Sequence, residues 1–209
     1  MDKIIYRDLM QKDYDTIKKL IAEAFGFGEF IKDEVLLDTV TGFYLQECVD
    51  DSSFSKVAEK NNKVIGLILG KAKDDKISLK NIHNTTKIDE TEIGKILADE
   101  KNRKVIKEFA KIQEVYKEII KGREDNFEGC IQLFIVSKEA RGFGIGKTLL
   151  NYLSEYMKSM NVSSLYLYTD TRCNYGFYDS QNFKRLAEKE LAFDSINESI
   201  NVFLYGYKF

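Results

Sequence analysis

Residues 131–136 read IQLFIV, and after the polar link SKEA (137–140) residues 141–148 read RGFGIGKT. The first run is apolar except for Gln132, which is typical of a buried strand. After the glycines, apolar residues recur at helical spacing as far as Met160. This stretch therefore predicts a strand, a glycine loop and a helix, and the rest of the chain is interpreted around that unit.

The glycine loop favours an anionic ligand. The first N–H groups of a helix have no partner within the helix, and the positive end of the helix dipole lies behind them. Glycine has no Cβ, so a ligand can approach the backbone closely. The loop is therefore predicted to bind a cofactor that contains phosphate.

Three sequence patterns compete for this loop. A Walker A loop requires glycine at the position of Arg141, and a dinucleotide fingerprint requires glycine at the position of Lys147. The pattern [RQ]-x-x-G-x-[GA] is matched in full by Arg141, Gly144 and Gly146. The third pattern is therefore favoured over both nucleotide-binding motifs.

With the strand before it and the sequence FYDSQNF (177–183) after it, the loop resembles the GNAT superfamily of N-acetyltransferases. The family often has proline and glycine where this chain has Lys138 and Asn182. The resemblance covers most of the chain and implies an α/β fold: a mixed, mostly antiparallel twisted sheet with helices on both faces. We expect one domain over residues 1–209.

A helical insertion is expected at about 74–128, before the central cofactor-binding strand. This segment is far longer than a usual connection. Its apolar residues from Ile93 to Ile120 fall on one helical stripe, which predicts one or two helices beside the sheet. We expect the insertion to shape the acceptor site, with a dimer contact as the rival use.

The remaining elements follow from local patterns. Asn61-Asn62 between two β-prone runs predicts a hairpin. Helices are expected from Asp13 to Gly26, over 31–49 and over 174–181, and further strands at 3–9, 165–168, 183–190 and 200–209. The phenylalanines at 25, 27 and 30 either pack in the core or form an aromatic wall over the acceptor pocket.

The resemblance implies acetyl-CoA as co-substrate and a small-molecule or peptide primary amine as acceptor. The loop residues Arg141, Gly142, Phe143, Gly144, Ile145, Gly146 and Lys147 would bind the pyrophosphate. Backbone groups of Phe134, Ile135 and Val136 would hold the pantetheine arm and the thioester oxygen, with Asn174 hydrogen-bonding the same arm.

Two catalytic residues are expected. Tyr178 matches the family position whose phenol protonates the CoA thiolate. Glu128, acting through water, is the candidate general base, with solvent as the alternative. The sequence contains no convincing Ser–His–Asp or Cys–His pair for a covalent intermediate. The competing hypothesis is a non-catalytic acyl-CoA sensor or interaction module.

Composition excludes several classes. A formal charge of −2 gives no reason to expect nucleic-acid binding, and no apolar run approaches the ~20 residues of a membrane span. Cys48, Cys130, Cys173 and His83 lack metal-ligand spacing. No signal peptide is recognised, so we expect a cytoplasmic enzyme with reduced thiols and no metal; a homodimer is left open.

Overall fold

The computed structural model describes residues 3–81, 94, 96–193 and 198–209, without the side chains of Phe30 and Phe109. Within these residues, seven strands form one sheet in the order β1-β2-β3-β4-β5-β7-β6. The strands are β1 (Ile4–Arg7), β2 (Phe54–Lys60), β3 (Lys63–Ala72), β4 (Gly129–Val136), β5 (Ser164–Asp170), β6 (Lys184–Phe193) and β7 (Glu198–Lys208).

The sheet is mixed and mostly antiparallel, as predicted. Only β4 and β5 run parallel among the paired strands described. The helices are α1 (Tyr14–Ala24), α2 (Phe27–Phe30), α3 (Glu34–Asp50), α4 (Glu100–Ile120), α5 (Ile145–Ser159) and α6 (Gly176–Ser180). Short 3-10 turns connect several of these elements.

The predicted continuous helix over 31–49 is wrong at its start. Ile31 is extended and buried, and α3 begins only at Glu34. The Asp33 side chain accepts a hydrogen bond of 2.8 Å from the Leu36 N–H, so Asp33 caps the helix and fixes where it begins.

Asparagine adopts the left-handed backbone conformation at several turns. Asn61 and Asn62 have φ of 51° and 60°, which confirms the hairpin between β2 and β3. Asn182, where the family often has glycine, has φ of 63°. Asparagine tolerates this left-handed conformation better than most residues do, so the departure keeps the backbone geometry.

Both faces of the sheet are covered by helices. On one face, α5 buries Leu149, Leu153 and Met157 completely. A Cβ at Gly70 would lie 2.5 Å from Leu153 Cδ1, so this glycine lets α5 approach β3 closely. On the other face, α1 and α3 form a second core around Leu67. The glycine loop at the start of α5 is thus held against the centre of the sheet.

The predicted insertion helix is confirmed over α4, whereas residues 82–93 and 95 of the insertion lie outside the described residues. Val105 and Ile106 pack near Leu36 of α3. The other end of α4 buries Val115 and Ile119 against β6 and β7. The helix therefore links the layer of α3 to the last hairpin.

Candidate active site

A cleft opens where two central strands part. Among the described residues, β4 and β5 pair only at Gly129–Leu165 and Cys130–Tyr166, near the beginning of each strand. Beyond these pairs the two strands enclose a cavity of about 330 Å³. Its walls come from β4, the glycine loop, β5, α6, the end of α1, Tyr44 of α3 and Tyr116 of α4.

The hydrogen-bond pattern of β4 decides which of its amides face this cleft. The Ser137 N–H donates to the Ile65 carbonyl of β3 at 2.9 Å. Antiparallel ladders alternate, so the amide of Ile135 also faces β3, opposite Leu67. The amides of Phe134 and Val136 then face the cleft. Ile135 lines the cleft, but its N–H is not directed into it.

The glycine loop has the geometry of an anion site. Gly142 and Gly144 have φ of 83° and 76°, and a Cβ on either would meet no described atom within 4 Å. Gly144 immediately precedes α5, so the first N–H groups of that helix open onto the cleft. Arg141 and Lys147 add positive charge. This combination fits the pyrophosphate of a coenzyme.

All of the predicted loop residues except Phe143 line the cleft. One member, Phe143, is 76% exposed and does not line the cleft. The side chain of Arg141 donates from Nε to the Val136 carbonyl at 3.4 Å, which ties the loop to the end of β4. The remaining predicted residues that line the cleft are Gly142, Gly144, Ile145, Gly146, Lys147 and Asn174.

Tyr178 lies in the cleft wall within an aromatic cluster. Its ring is 6.3 Å from that of Phe134 and 5.6 Å from that of Phe183. Burial raises the pKa of its phenol well above the ordinary value. The phenol therefore keeps its proton at neutral pH and acts as a hydrogen-bond donor.

The short helix that carries Tyr178 is anchored from behind. Tyr205 is fully buried, and its hydroxyl donates to Asp179 Oδ1 at 2.9 Å. Arg185 donates to the same hydroxyl, and its guanidinium lies 3.9 Å from the ring centroid of Phe203. These contacts hold α6 against β6 and β7.

Cys173 also lines the cleft, next to Asn174. Burial raises the pKa of its thiol to about 12. The nearby carboxyl of Asp170 has its own pKa raised by burial, and its Oδ2 lies 3.8 Å from the Cys173 Sγ. A thiol with so high a pKa is neutral at physiological pH, so it is a poor nucleophile.

Glu128 does not join the other candidate residues. Its carboxylate accepts hydrogen bonds from the backbone N–H and from the hydroxyl of Ser163, the latter at 2.8 Å. These bonds lower its pKa. Glu128 lies beside the paired ends of β4 and β5. It lines neither the cleft nor a second cavity that adjoins the cleft and is described below. The geometry therefore does not support the predicted general base.

Sequence reasoning missed the tyrosines of the opposite wall. Tyr116 of α4 stacks on Tyr168 of β5, with ring centroids 4.1 Å apart and an interplanar angle of 5°. Tyr44 of α3 meets Phe25 edge-on at 5.5 Å. Phe25 lines the cleft, whereas Phe27 is buried in the core. Phe27 thus follows the first interpretation, whereas Phe25 also packs against the core around Leu67, and an aromatic wall over an acceptor pocket stays a prediction.

A second cavity, of about 340 Å³, adjoins the cleft. The two cavities share the wall residues Tyr44, Tyr116, Ile131, Gln132 and Tyr168. The only signal for this cavity in the sequence was that Tyr116 lies on the apolar stripe of the insertion.

No helix in the described part of the chain is long and apolar enough to cross a membrane.

Comparison with known proteins places this architecture. The model of the acetyltransferase (GNAT) family matches residues 14–183. PH1933 from Pyrococcus horikoshii OT3 is 16% identical with a TM-score of 0.60, and the match covers 99% of each chain. The PaiA N-acetyltransferase from Thermoplasma acidophilum, solved with coenzyme A, is 14% identical with a TM-score of 0.55, again over 99% of each chain. No curated protein sequence matches this chain.

Proposed function

Because this chain belongs to the GNAT family of acetyltransferases, we propose that it transfers an acetyl group from acetyl-CoA directly to a primary amine. The observation that carries the proposal is the Arg141–Lys147 loop at the open end of the cleft between β4 and β5. A relative of similar fold, from Thermoplasma acidophilum, was solved with coenzyme A, which supports the choice of donor.

The loop and the cleft divide the binding of the donor between them. The N–H groups at the start of α5 and the charges of Arg141 and Lys147 would bind the pyrophosphate. The pantetheine arm would lie between β4 and β5. There it would meet the cleft-facing amides of Phe134 and Val136 and the side chain of Asn174.

Bound acetyl-CoA supplies the reactive thioester. The amine nitrogen attacks the carbonyl carbon, a C–N bond forms, and the C–S bond breaks with its electron pair moving to sulfur. An amide N–H of Phe134 or Val136 would hold the carbonyl oxygen as its negative charge grows, and one such donor typically lowers the barrier by roughly 3–4 kcal/mol.

Tyr178 would donate a hydrogen bond to the departing sulfur. Its raised phenol pKa opposes full proton transfer, since a thiol has a pKa of about 8.5. We therefore propose that Tyr178 stabilises the thiolate by donating a hydrogen bond and does not transfer its proton. The proton that nitrogen loses balances the one that sulfur finally gains.

An amine with a lysine-like pKa of ~10.4 must lose a proton before it attacks. The tyrosines of the opposite wall are poor bases, because burial raises the phenol pKa of Tyr116 and Tyr168. We therefore propose that solvent accepts this proton. The insertion helix α4 contributes Tyr116 to the walls of the cleft and of the second cavity. We propose that residues 1–209 form one domain that contains this helix.

A coupled assay tests the proposal. Purified protein is given acetyl-CoA and a panel of primary amines, and released CoA thiol is measured. We expect release only when an amine is present, together with an acetylated amine detected by mass spectrometry. Tight acetyl-CoA binding with no consumption across the panel would favour the non-catalytic acyl-CoA sensor instead.

A further inference from the structure

The second cavity has a definite position relative to the cleft. The two spaces adjoin, since they share five wall residues, while the glycine loop borders only the cleft. The residues found only in the second cavity belong to α3, α4, β5 and the segment before β4. A molecule entering through it would therefore reach the β4–β5 opening from the side opposite the coenzyme loop.

Tyrosine rings form much of its wall. Tyr44, Tyr116, Tyr166 and Tyr168 all line this cavity. Tyr168 stacks on Tyr116 and meets Tyr166 edge-on at 5.5 Å. Aromatic faces are electron-rich and attract alkylammonium groups, and aromatic walls also accept methylene chains. The wall therefore suits an aliphatic amine.

The outer end of the cavity is negatively charged. It is lined by the carboxylates Glu47, Asp51 and Glu124 and by a single ammonium group, that of Lys117. Within the described part of the chain, none of these three carboxylates forms an ion pair. Burial raises the pKa of Tyr166, and the neighbouring Cys130 and then the charges of Asp51 and Glu124 add to that effect.

We propose that the acceptor is a linear aliphatic amine with a second positive charge. One amine would reach the thioester between β4 and β5, the methylene chain would lie along the tyrosines, and the second ammonium group would meet Asp51 and Glu124. This inference rests on the proposed function and specifies its substrate class. A monoamine, or a peptide with no positive charge besides its N-terminus, would leave these carboxylates without a partner.

Calorimetry on CoA-saturated protein tests this without requiring turnover. The probes are 1,4-diaminobutane and 1,5-diaminopentane. Each is compared with n-butylamine, which has a primary amine on an alkyl chain but no second positive charge. We expect at least one diamine to bind about tenfold more tightly than n-butylamine at low salt. That preference should shrink as salt is added, because exposed charges are screened.

Variants locate the preference. The double variant Asp51→Asn with Glu124→Gln should lose most of the diamine preference while its affinity for n-butylamine changes little. The control Glu155→Gln removes an exposed carboxylate of α5 that lines neither cavity, and it should keep the preference. An unchanged thermal shift with acetyl-CoA shows that each variant is folded; where the double variant is not, the two single variants replace it.

The outcomes separate this inference from the function on which it rests. Equal affinity of wild-type protein for diamine and monoamine overturns the inference, as does tighter binding of a neutral peptide with a free N-terminus. If an amine is acetylated without any preference for a second charge, the transferase proposal stands and only the inference falls. Failure to bind CoA counts against the proposed function, and diamine binding is then measured on the free protein.

Discussion

The glycine loop forms one mouth of the cleft, and the second cavity, which adjoins the cleft, forms the other. These two mouths are built in opposite ways. The mouth at the glycine loop consists mainly of backbone, with Gly142 and Gly144 in left-handed conformations and cationic side chains beside them. The other mouth consists of side chains, with tyrosine rings and three carboxylates from separate elements. The first mouth suits a phosphate group that backbone N–H groups bind. The second depends on side chains, so single substitutions can change what it binds without changing the first.

The largest effect is expected at Tyr178, which lines the cleft. Tyr178→Phe keeps the ring contacts with Phe134 and Phe183 but removes the hydroxyl. A hydrogen bond to a charged group contributes about 1.5–3 kcal/mol, so kcat should fall on the order of 10- to 10²-fold. The KM for acetyl-CoA should change little, since the lost bond forms as the sulfur departs.

Tyr175→Phe is the matched control for this variant. Tyr175 precedes α6 and packs on Phe203, and it does not line the cleft. Its kcat should stay within about twofold of wild type. Equal losses in both variants would mean that the hydroxyl of Tyr178 acts through the stability of α6 and not on the sulfur.

A smaller effect is expected at the backbone-built mouth. Gly144→Ala places a side chain at a φ of 76°, which costs roughly 1–2 kcal/mol. The strain falls on the loop, so the KM for acetyl-CoA should rise about 5- to 20-fold while the KM for the amine changes little. Steady-state kinetics with each substrate varied in turn measure the difference.

Gly122→Ala separates strain from binding. Gly122 also has positive φ, 77°, and open space around its Cβ position, but it follows α4 and lines neither cavity. We expect this variant to lose a similar amount of stability in chemical denaturation while it keeps the KM for acetyl-CoA. If its KM rose as much as that of Gly144→Ala, the loop would have no special role.

The two mouths also differ in how well they could be predicted from sequence. Arg141, Gly144 and Gly146 lie within six consecutive residues, so a local pattern identified the loop and, with it, the strand–loop–helix unit of the fold. Tyr44, Tyr116 and Tyr168 are far apart in the chain and meet only because α4 packs across α3 and the last hairpin. No local pattern contains that packing, so the second mouth could not be predicted.

Single candidate residues show a further limit. Glu128 stood close in sequence to the central strand, but proximity along the chain did not bring it into the cleft, because its carboxylate is bound to Ser163. Ile135 was grouped with Phe134 and Val136, although the alternation of the β3–β4 ladder directs its amide away. Hydrogen-bond direction and packing decide both cases, and neither is visible in residue type.

The smallest effect is expected at Cys173. With its pKa raised to about 12, the thiol is neutral below about pH 11 and adds no inflection to the kcat profile between pH 6 and 9. Cys173→Ser should therefore keep kcat within about twofold and leave the pH profile unchanged. A loss of 10³-fold or more, or an acetylated Cys173 found by mass spectrometry, would show a covalent route in place of direct transfer.

The most direct test of the account is a thermal-shift titration with acetyl-CoA, CoA and ATP. A ligand at about 100 times its Kd adds roughly 2.7 kcal/mol of stability, which for a chain of this size shifts Tm by roughly 5–10 °C. We expect this shift with acetyl-CoA and with CoA but not with ATP. A shift with ATP alone, or with none of the three, would contradict the assignment of the glycine loop as a coenzyme A site.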